Sequence, residues 1–175
     1  MAFRRCRAVC CIPSLFLDNG GREAAVYLNW SFKNDRSLRY RFGTDRTVAQ
    51  PKRLEYFDPD LIWNELNPDP AVTLVDIGSG VGYVTLPFAR RYPDAAVIGC
   101  DILEGMVALL RDSAAEEGLG NITVHHMAPG AVPLQDDSAD IVVMAQVHHE
   151  LDAPEPLLAD CRWVLRPGDT IAIVD

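Results

Sequence analysis

The sequence predicts an α/β protein, built on a doubly wound and mostly parallel sheet with helices on both faces. Three observations predict it. From residue 46 onward, short apolar β-branched runs alternate with longer stretches of helical period, as in chained βαβ units. A glycine-rich turn at residues 78–82 joins the first apolar run to the next helical stretch. A chain of 175 residues, 49% of them hydrophobic, is long enough to bury about 70% of its extended surface in one core.

The elements follow in order. Arg46 to Leu66 places Leu54, Phe57, Leu61, Ile62 and Leu66 at helical spacing, and Pro59 divides the stretch into two short helices. Asn67-Pro68-Asp69-Pro70 is a stop and a turn. Val72 to Ile77 reads as a buried strand. After the glycines a helix runs to Tyr92 and stops at Pro93; Pro87 lies near enough to its start to cost little. Ala95 to Cys100 is the second strand of this series. Leu103 to Glu117 is a helix with Met106, Leu109 and Leu110 on one face, ended by Gly118. Ile122 to His126 is the third strand and Ile141 to Ala145 the fourth. Pro154 to Leu165 is a helix, Arg166 to Asp169 a turn, and Thr170 to Val174 the fifth strand. Crossovers between parallel strands are right-handed, which places helices on both faces.

Charge divides the chain into a basic N-terminal extension, residues 1–45, and a main domain, residues 46–175. The first holds 8 Lys and Arg against 4 Asp and Glu, the second 8 against 21, for a total of −9. An acidic body argues against broad nucleic-acid binding, which needs clustered cations on phosphates. No apolar run approaches the ~20 residues that span a bilayer. The opening MAFRRCRAVCCIPSLFL loosely imitates a targeting peptide, but Pro13 interrupts it and no small-x-small cleavage site follows. A partly ordered extension is the expectation. Its Arg, Trp, Tyr and Phe residues are expected to pack and solvate in the ordinary way. The cysteines are Cys6, Cys10, Cys11, Cys100 and Cys161. An odd number without Cys-x-x-Cys pairs reads as free thiols in a cytoplasmic protein, with no metal.

The chemistry concentrates at Val75-Asp76-Ile77-Gly78-Ser79-Gly80-Val81-Gly82-Tyr83. A bare glycine turn between strand and helix lets a ligand approach the backbone. A dinucleotide fingerprint wants Gly-x-Gly-x-x-Gly; Tyr83 stands where its third glycine is needed. An aspartate precedes the glycines by two instead. Asp76-x-Gly78-x-Gly80-x-Gly82 resembles motif I of the Rossmann-like methyltransferases that use S-adenosylmethionine. The resemblance covers roughly residues 45–175 and continues through Gly99-Cys100-Asp101, Val132-Pro133-Leu134, Val147-His148-His149-Glu150-Leu151 and Leu165-Arg166-Pro167-Gly168. It is closest to the small-molecule branch that includes the ubiquinone/menaquinone-type enzymes.

The resemblance implies S-adenosylmethionine as cofactor, and it implies roles. Asp101, at the end of a strand, would accept the ribose hydroxyls; capping the helix at Leu103 is its other reading, and the two can coexist. Ile102 would lie against adenine, or else be ordinary core. Asp76 would support the methionine amino group, or brace the loop. Gly78, Ser79, Gly80 and Gly82 would carry the backbone past the cofactor. Gln146 and Tyr83 are candidate contacts, with packing as the alternative. Where the family commonly has Gly-Asp-Ala, the chain reads Met127-Ala128-Pro129, so Ala128 offers no acceptor for the adenine amino group. Gln135 or Asp136 would have to substitute, or the cofactor bind more weakly.

His125-His126 and His148-His149 are adjacent pairs, and neighbours on a strand point to opposite faces, so neither suits chelation. His149 matches an active-site position of the family and is the candidate base, although a structural role is the commoner one for such a residue. The Asn/Asp-Pro-Pro-aromatic motif of amino-methylating nucleic-acid enzymes is absent at Ala145-Gln146-Val147-His148, and no Pro-Cys occurs. The expected reaction is therefore methyl transfer to a small-molecule acceptor; the alternative is a non-catalytic binding module or partner subunit. The expected partners are that small molecule, no nucleic acid and no membrane. The family sheet has seven strands, and this chain reaches only the fifth, at Thr170 to Val174. The segment 18–45 offers no more than a weak strand at Ala24–Leu28. The expectation is a bare apolar edge through which the chain self-associates or aggregates, with the N-terminal segment folding over that edge as the alternative.

Overall fold

Every strand pairing in the sheet is parallel, in the order β1-β6-β5-β2-β3-β4. The computed structural model describes residues 25–28 and 58–174. Its strands are β1 (Ala25–Leu28), β2 (Thr73–Ile77), β3 (Ala96–Asp101), β4 (Ile122–His126), β5 (Ala139–Ala145) and β6 (Leu165–Val174). Its helices are α1 (Pro59–Leu66), α2 (Thr85–Arg91), α3 (Glu104–Glu116) and α4 (Glu155–Val164), with a 3₁₀ turn at His148–Glu150. The winding reverses at β2, which has β3 on one side and β5 on the other. That switch point, at the carboxyl ends of the strands, is where open α/β sheets bind ligands.

Alternation along the central strands builds a core on each face. Val75 and Ile77 of β2, Val142 and Met144 of β5, and Ile171 and Ile173 of β6 pack with Leu157, Leu158, Cys161 and Val164 of α4. Leu74, Ile141, Val143, Ala172 and Val174 point the other way, onto Ile62 and Trp63 of α1 and Phe88 and Ala89 of α2. Trp63 meets Phe88 edge-on at 4.4 Å. Val107, Leu110 and Ala114 of α3 extend that second layer with Leu86 and Val124. Among the described residues no helix is long and apolar enough to cross a membrane.

Local chemistry sets the element ends. Asp58 caps α1 by accepting the Asp60 N–H at 2.9 Å, and Pro59 opens this helix. The other half of the expected helix pair, residues 46–57, lies outside the described residues. Asn67 closes α1 in a left-handed conformation, φ 42°.

Two expectations need correction. The turn at Arg166 to Asp169 does not separate α4 from the last strand. β6 begins at Leu165, opposite Ala139, and the next pair is Ile141 with Thr170, so those residues bulge out of a continuous strand. The Arg166 guanidinium holds the bulge down by pairing with Asp140 and donating to the Ser138 carbonyl at 3.2 Å. Asp140 in turn accepts the Thr73 N–H at 2.6 Å. Burial and the Asp140 charge raise the Asp169 carboxyl above the usual range.

The edge of β6 is also not bare. β1 lies along it in register, from Ala25 opposite Ile171 to Leu28 opposite Val174. Four residues of β-prone sequence carry too little pattern to announce a partner so far along the chain.

Asn121 donates its side-chain amide to the carbonyls of Ala89, Tyr92 and Ala95, at 3.2, 3.1 and 3.2 Å, and so ties the α2–β3 connection to β4. Asn121→Asp replaces those donors with an acceptor facing three carbonyls. We expect it to destabilise the fold by about 2–3 kcal/mol in urea titrations, more than Asn121→Ala.

Candidate functional site

The segment between β2 and α2 crosses the carboxyl edge of the sheet, and its three glycines all have positive φ: 70° at Gly78, 52° at Gly80 and 93° at Gly82. Their surroundings differ. A Cβ on Gly78 would lie 2.4 Å from Val147 Cγ2, so Val147 seats directly on the loop. A Cβ on Gly82 would lie 2.4 Å from Leu110 Cδ1 and 2.8 Å from Leu86 Cγ; this glycine lets α3 pack under the loop. A Cβ on Gly80 would meet nothing within 4 Å. Of the three, Gly80 leaves open space for a ligand beside the backbone.

The end of β3 anchors this loop. The Cys100 carbonyl accepts the N–H groups of Gly78 and Ser79 at 2.8 and 3.0 Å. One Asp101 oxygen, Oδ2, accepts the Gly80 N–H at 2.8 Å, and Oδ1 accepts the Leu103 N–H at 2.8 Å, at the entry to α3. Asp101 thus braces both the loop and the approach to α3. A carboxylate has about four lone-pair positions, and these two bonds leave acceptor capacity for further donors. Ser79 turns inward: its buried Oγ has no hydrogen-bond partner and would sit 3.1 Å from a Cβ on Gly99.

Ile102 is 51% exposed and Leu103 38%, so the ordinary-core reading of Ile102 does not hold. The His126 ring nitrogen Nε2 lies 3.0 Å from the Ile102 carbonyl and fixes that apex from β4. Ala128 is exposed and begins a turn through Pro129 and Gly130, closed by the Ala131 N–H to the Ala128 carbonyl at 3.1 Å. Gln135 and Asp136 are not brought to that corner. They belong to the turn that starts β5, where Ser138 Oγ donates to the Gln135 carbonyl at 2.6 Å and the Asp137 N–H donates to the Trp163 carbonyl at 2.9 Å. That is the opposite edge of the sheet.

At the end of β5, Gln146 adopts a left-handed backbone, φ 59°, and its N–H donates to the Val174 carbonyl at 2.6 Å. Such a conformation at a non-glycine residue is held by its surroundings and clusters at functional sites. It turns the chain so that Val147 reaches Gly78 and His148 and His149 enter the 3₁₀ turn. The side chain of His149 lies outside the described residues. Tyr83 packs part-buried with the α1–α2 core layer.

Asp76 is buried under the loop, 2% exposed, and its Oδ2 accepts the Thr85 hydroxyl at 2.6 Å. Burial pushes its carboxyl up to about 7; the Thr85 hydroxyl opposes that rise and the Asp101 charge adds to it. Burial likewise raises the Cys100 thiol to about 12. Of the residues that build the site, Thr85 was not singled out in the sequence, and Val147 stood there only within its motif. The hydroxyl-bearing residue that opens the helix after Asp76 was the available signal for Thr85.

Two outcomes follow. Gly82→Ala should cost about 2–4 kcal/mol of stability, from overpacking against Leu110 plus left-handed strain, while Gly80→Ala costs only the strain term; chemical denaturation measures both. The raised Asp76 carboxyl means that the folded state holds a proton the unfolded chain has released between pH 3.8 and about 7. Stability from this group therefore falls as pH rises through that window and is level above it. Asp76→Asn should stabilise the ligand-free protein above pH 7 by up to about 4 kcal/mol and change little at pH 4, read by thermal melting across pH.

Residues 74–168 match the family described as "Methyltransferase domain". The ubiquinone biosynthesis O-methyltransferase of Roseobacter denitrificans is 32% identical over 129 residues, covering 69% of this chain and 50% of that protein. The ubiquinone/menaquinone biosynthesis C-methyltransferase of Geobacter sulfurreducens is 36% identical over 105 residues, covering 58% and 41%. A solved structure of a SAM-dependent methyltransferase from Aquifex aeolicus superposes with a TM-score of 0.69 at 29% identity, covering 73% of this chain and 69% of that one. The chain spans half or less of the length of these two curated relatives. With the matched region taking in β2 through the β6 bulge, the chain belongs to the methyltransferase-domain family.

Proposed function

We propose that this chain binds S-adenosylmethionine at the carboxyl edge of β2 and β3 and, within the protein it forms or forms part of, transfers its methyl group to a small-molecule acceptor. One observation carries the reading: Asp101 holds Gly80 at the mouth with acceptor capacity to spare, beside open space. The donor set fits the cofactor. Asp101 would take the ribose hydroxyls and the exposed Ile102 side chain one face of adenine. Asp76 would face the methionine ammonium group. The chain offers no acceptor for the adenine amino group at Ala128, so that contact is missing from the set.

Bound there, the cofactor supplies a sulfonium-activated methyl, an electrophile that needs alignment more than activation. The protein's part is to hold the nucleoside rigidly, leave the methyl facing the acceptor side, and accept a proton when the acceptor carries one. His148 and His149, in the turn after β5, are the bases nearest that side in the chain order. The named relatives methylate oxygen in one case and carbon in the other. A small acceptor is favoured over nucleic acid by the acidic body and by the missing Pro-Pro-aromatic and Pro-Cys motifs.

Calorimetry should show S-adenosylhomocysteine binding far more tightly than NAD, since Tyr83 replaces the third glycine that dinucleotides use; the reverse order rejects the assignment. Asp101→Ala should weaken S-adenosylhomocysteine binding by about 2 kcal/mol, roughly 30-fold, and lower the melting temperature as well. An unchanged dissociation constant in a folded variant would make Asp101 a brace alone. Methyl turnover with a panel of phenols, amines and enolisable carbonyls separates an enzyme from a binding module.

A further inference from the structure

We propose that Thr85 is a positioning residue for the cofactor site: its buried hydroxyl holds one oxygen of the Asp76 carboxyl and leaves the other for the ammonium group of the ligand's amino-acid moiety. The inference rests on the S-adenosylmethionine reading above and deepens it.

The geometry is specific. Thr85 is 0% exposed and Asp76 2%, and their oxygens are 2.6 Å apart. An O–H···O contact of that length is in the range of bonds to an ionised carboxylate. Threonine has one hydroxyl proton to give and few rotamers to give it from. Once that proton is committed to Oδ2, the carboxyl plane is set. Packing alone does not ask for a hydroxyl here, because valine has nearly the same shape.

The surroundings give the hydroxyl its importance. Across β5, Asp76 lies opposite Val143; across β3, it lies opposite Gly99. The titratable groups that face it are Asp101, which repels its charge, and the Cys100 thiol, which senses it. No cation contributes to its state among the described residues. An incoming ammonium group is therefore the positive charge that ionises Asp76, and the Thr85 hydroxyl is what already favours the ionised form. Ligand binding then releases one proton, and affinity rises with pH up to the point where the free carboxyl is already ionised.

The test is S-adenosylhomocysteine calorimetry between about pH 5 and pH 9, beside 5′-methylthioadenosine, which shares the nucleoside but has no amino-acid moiety. The wild type should gain about tenfold in affinity per pH unit below the midpoint for the first ligand, and nothing for the second. Thr85→Val should weaken S-adenosylhomocysteine about tenfold at neutral pH and move the midpoint upward, with methylthioadenosine unchanged; Thr85→Ser should restore both. Equal loss of both ligands, or no change in either, overturns the proposal and leaves the cofactor assignment standing. Failure of the wild type to bind S-adenosylhomocysteine at any pH removes the assignment, and this inference with it.

Discussion

The carboxylate of Asp101 is the constraint on which the site depends. It sits at the one place where three pieces of chain converge: the end of β3, the glycine loop after β2, and the entry to α3. Its two oxygens accept the Gly80 and Leu103 N–H groups, and the carbonyl just before it accepts those of Gly78 and Ser79. Four loop and cap donors that would otherwise face solvent or apolar side chains are satisfied from two residues of one strand. The loop is thus held in shape without a ligand, which lowers the ordering entropy that binding must overcome.

The same economy explains the loop's composition. Gly78 and Gly82 are small because Val147 and Leu110 approach them, whereas Gly80 is small with nothing beside it. A motif of three evenly spaced glycines therefore serves two packing contacts and one opening. Sequence shows the spacing but not which glycine does which, since that depends on side chains 28 to 69 residues further along the chain from their partners. The opposite edge of the sheet is stabilised by different means: Arg166, Asp140 and the Thr73 N–H join β6, β5 and β2 where no ligand is expected.

What was legible in the sequence was what is local or periodic. The strands of β2 through β5, the helices α3 and α4, and the placement of Asp76 and Asp101 at strand ends all follow from apolar period and turn residues. Three features were not legible, for distinct reasons. Gln135 and Asp136 looked near Ala128 in sequence, but the intervening turn carries them to the other edge. The bulge at Arg166 to Asp169 has turn composition, yet a guanidinium pair flattens it against β5. Thr85 carries no signal in the sequence of its own, because its role depends on a carboxylate nine residues earlier that lies buried against it.

The pairing of β1 with β6 has a consequence for how the chain acquires its structure. Ala25 meets Ile171, so the first strand described finds its place only after the last strand has formed. On a ribosome, residues 25–28 are made long before β6 and stay without that sheet neighbour until it has emerged. Closing so long a loop is entropically slow, and such contacts are late events in folding. The sheet can assemble from β2 outward through β3, β4 and β5 while β1 waits. β1 thus joins a sheet whose described strands β2 to β6 can already be paired, and until it does so the β6 edge is open to other chains.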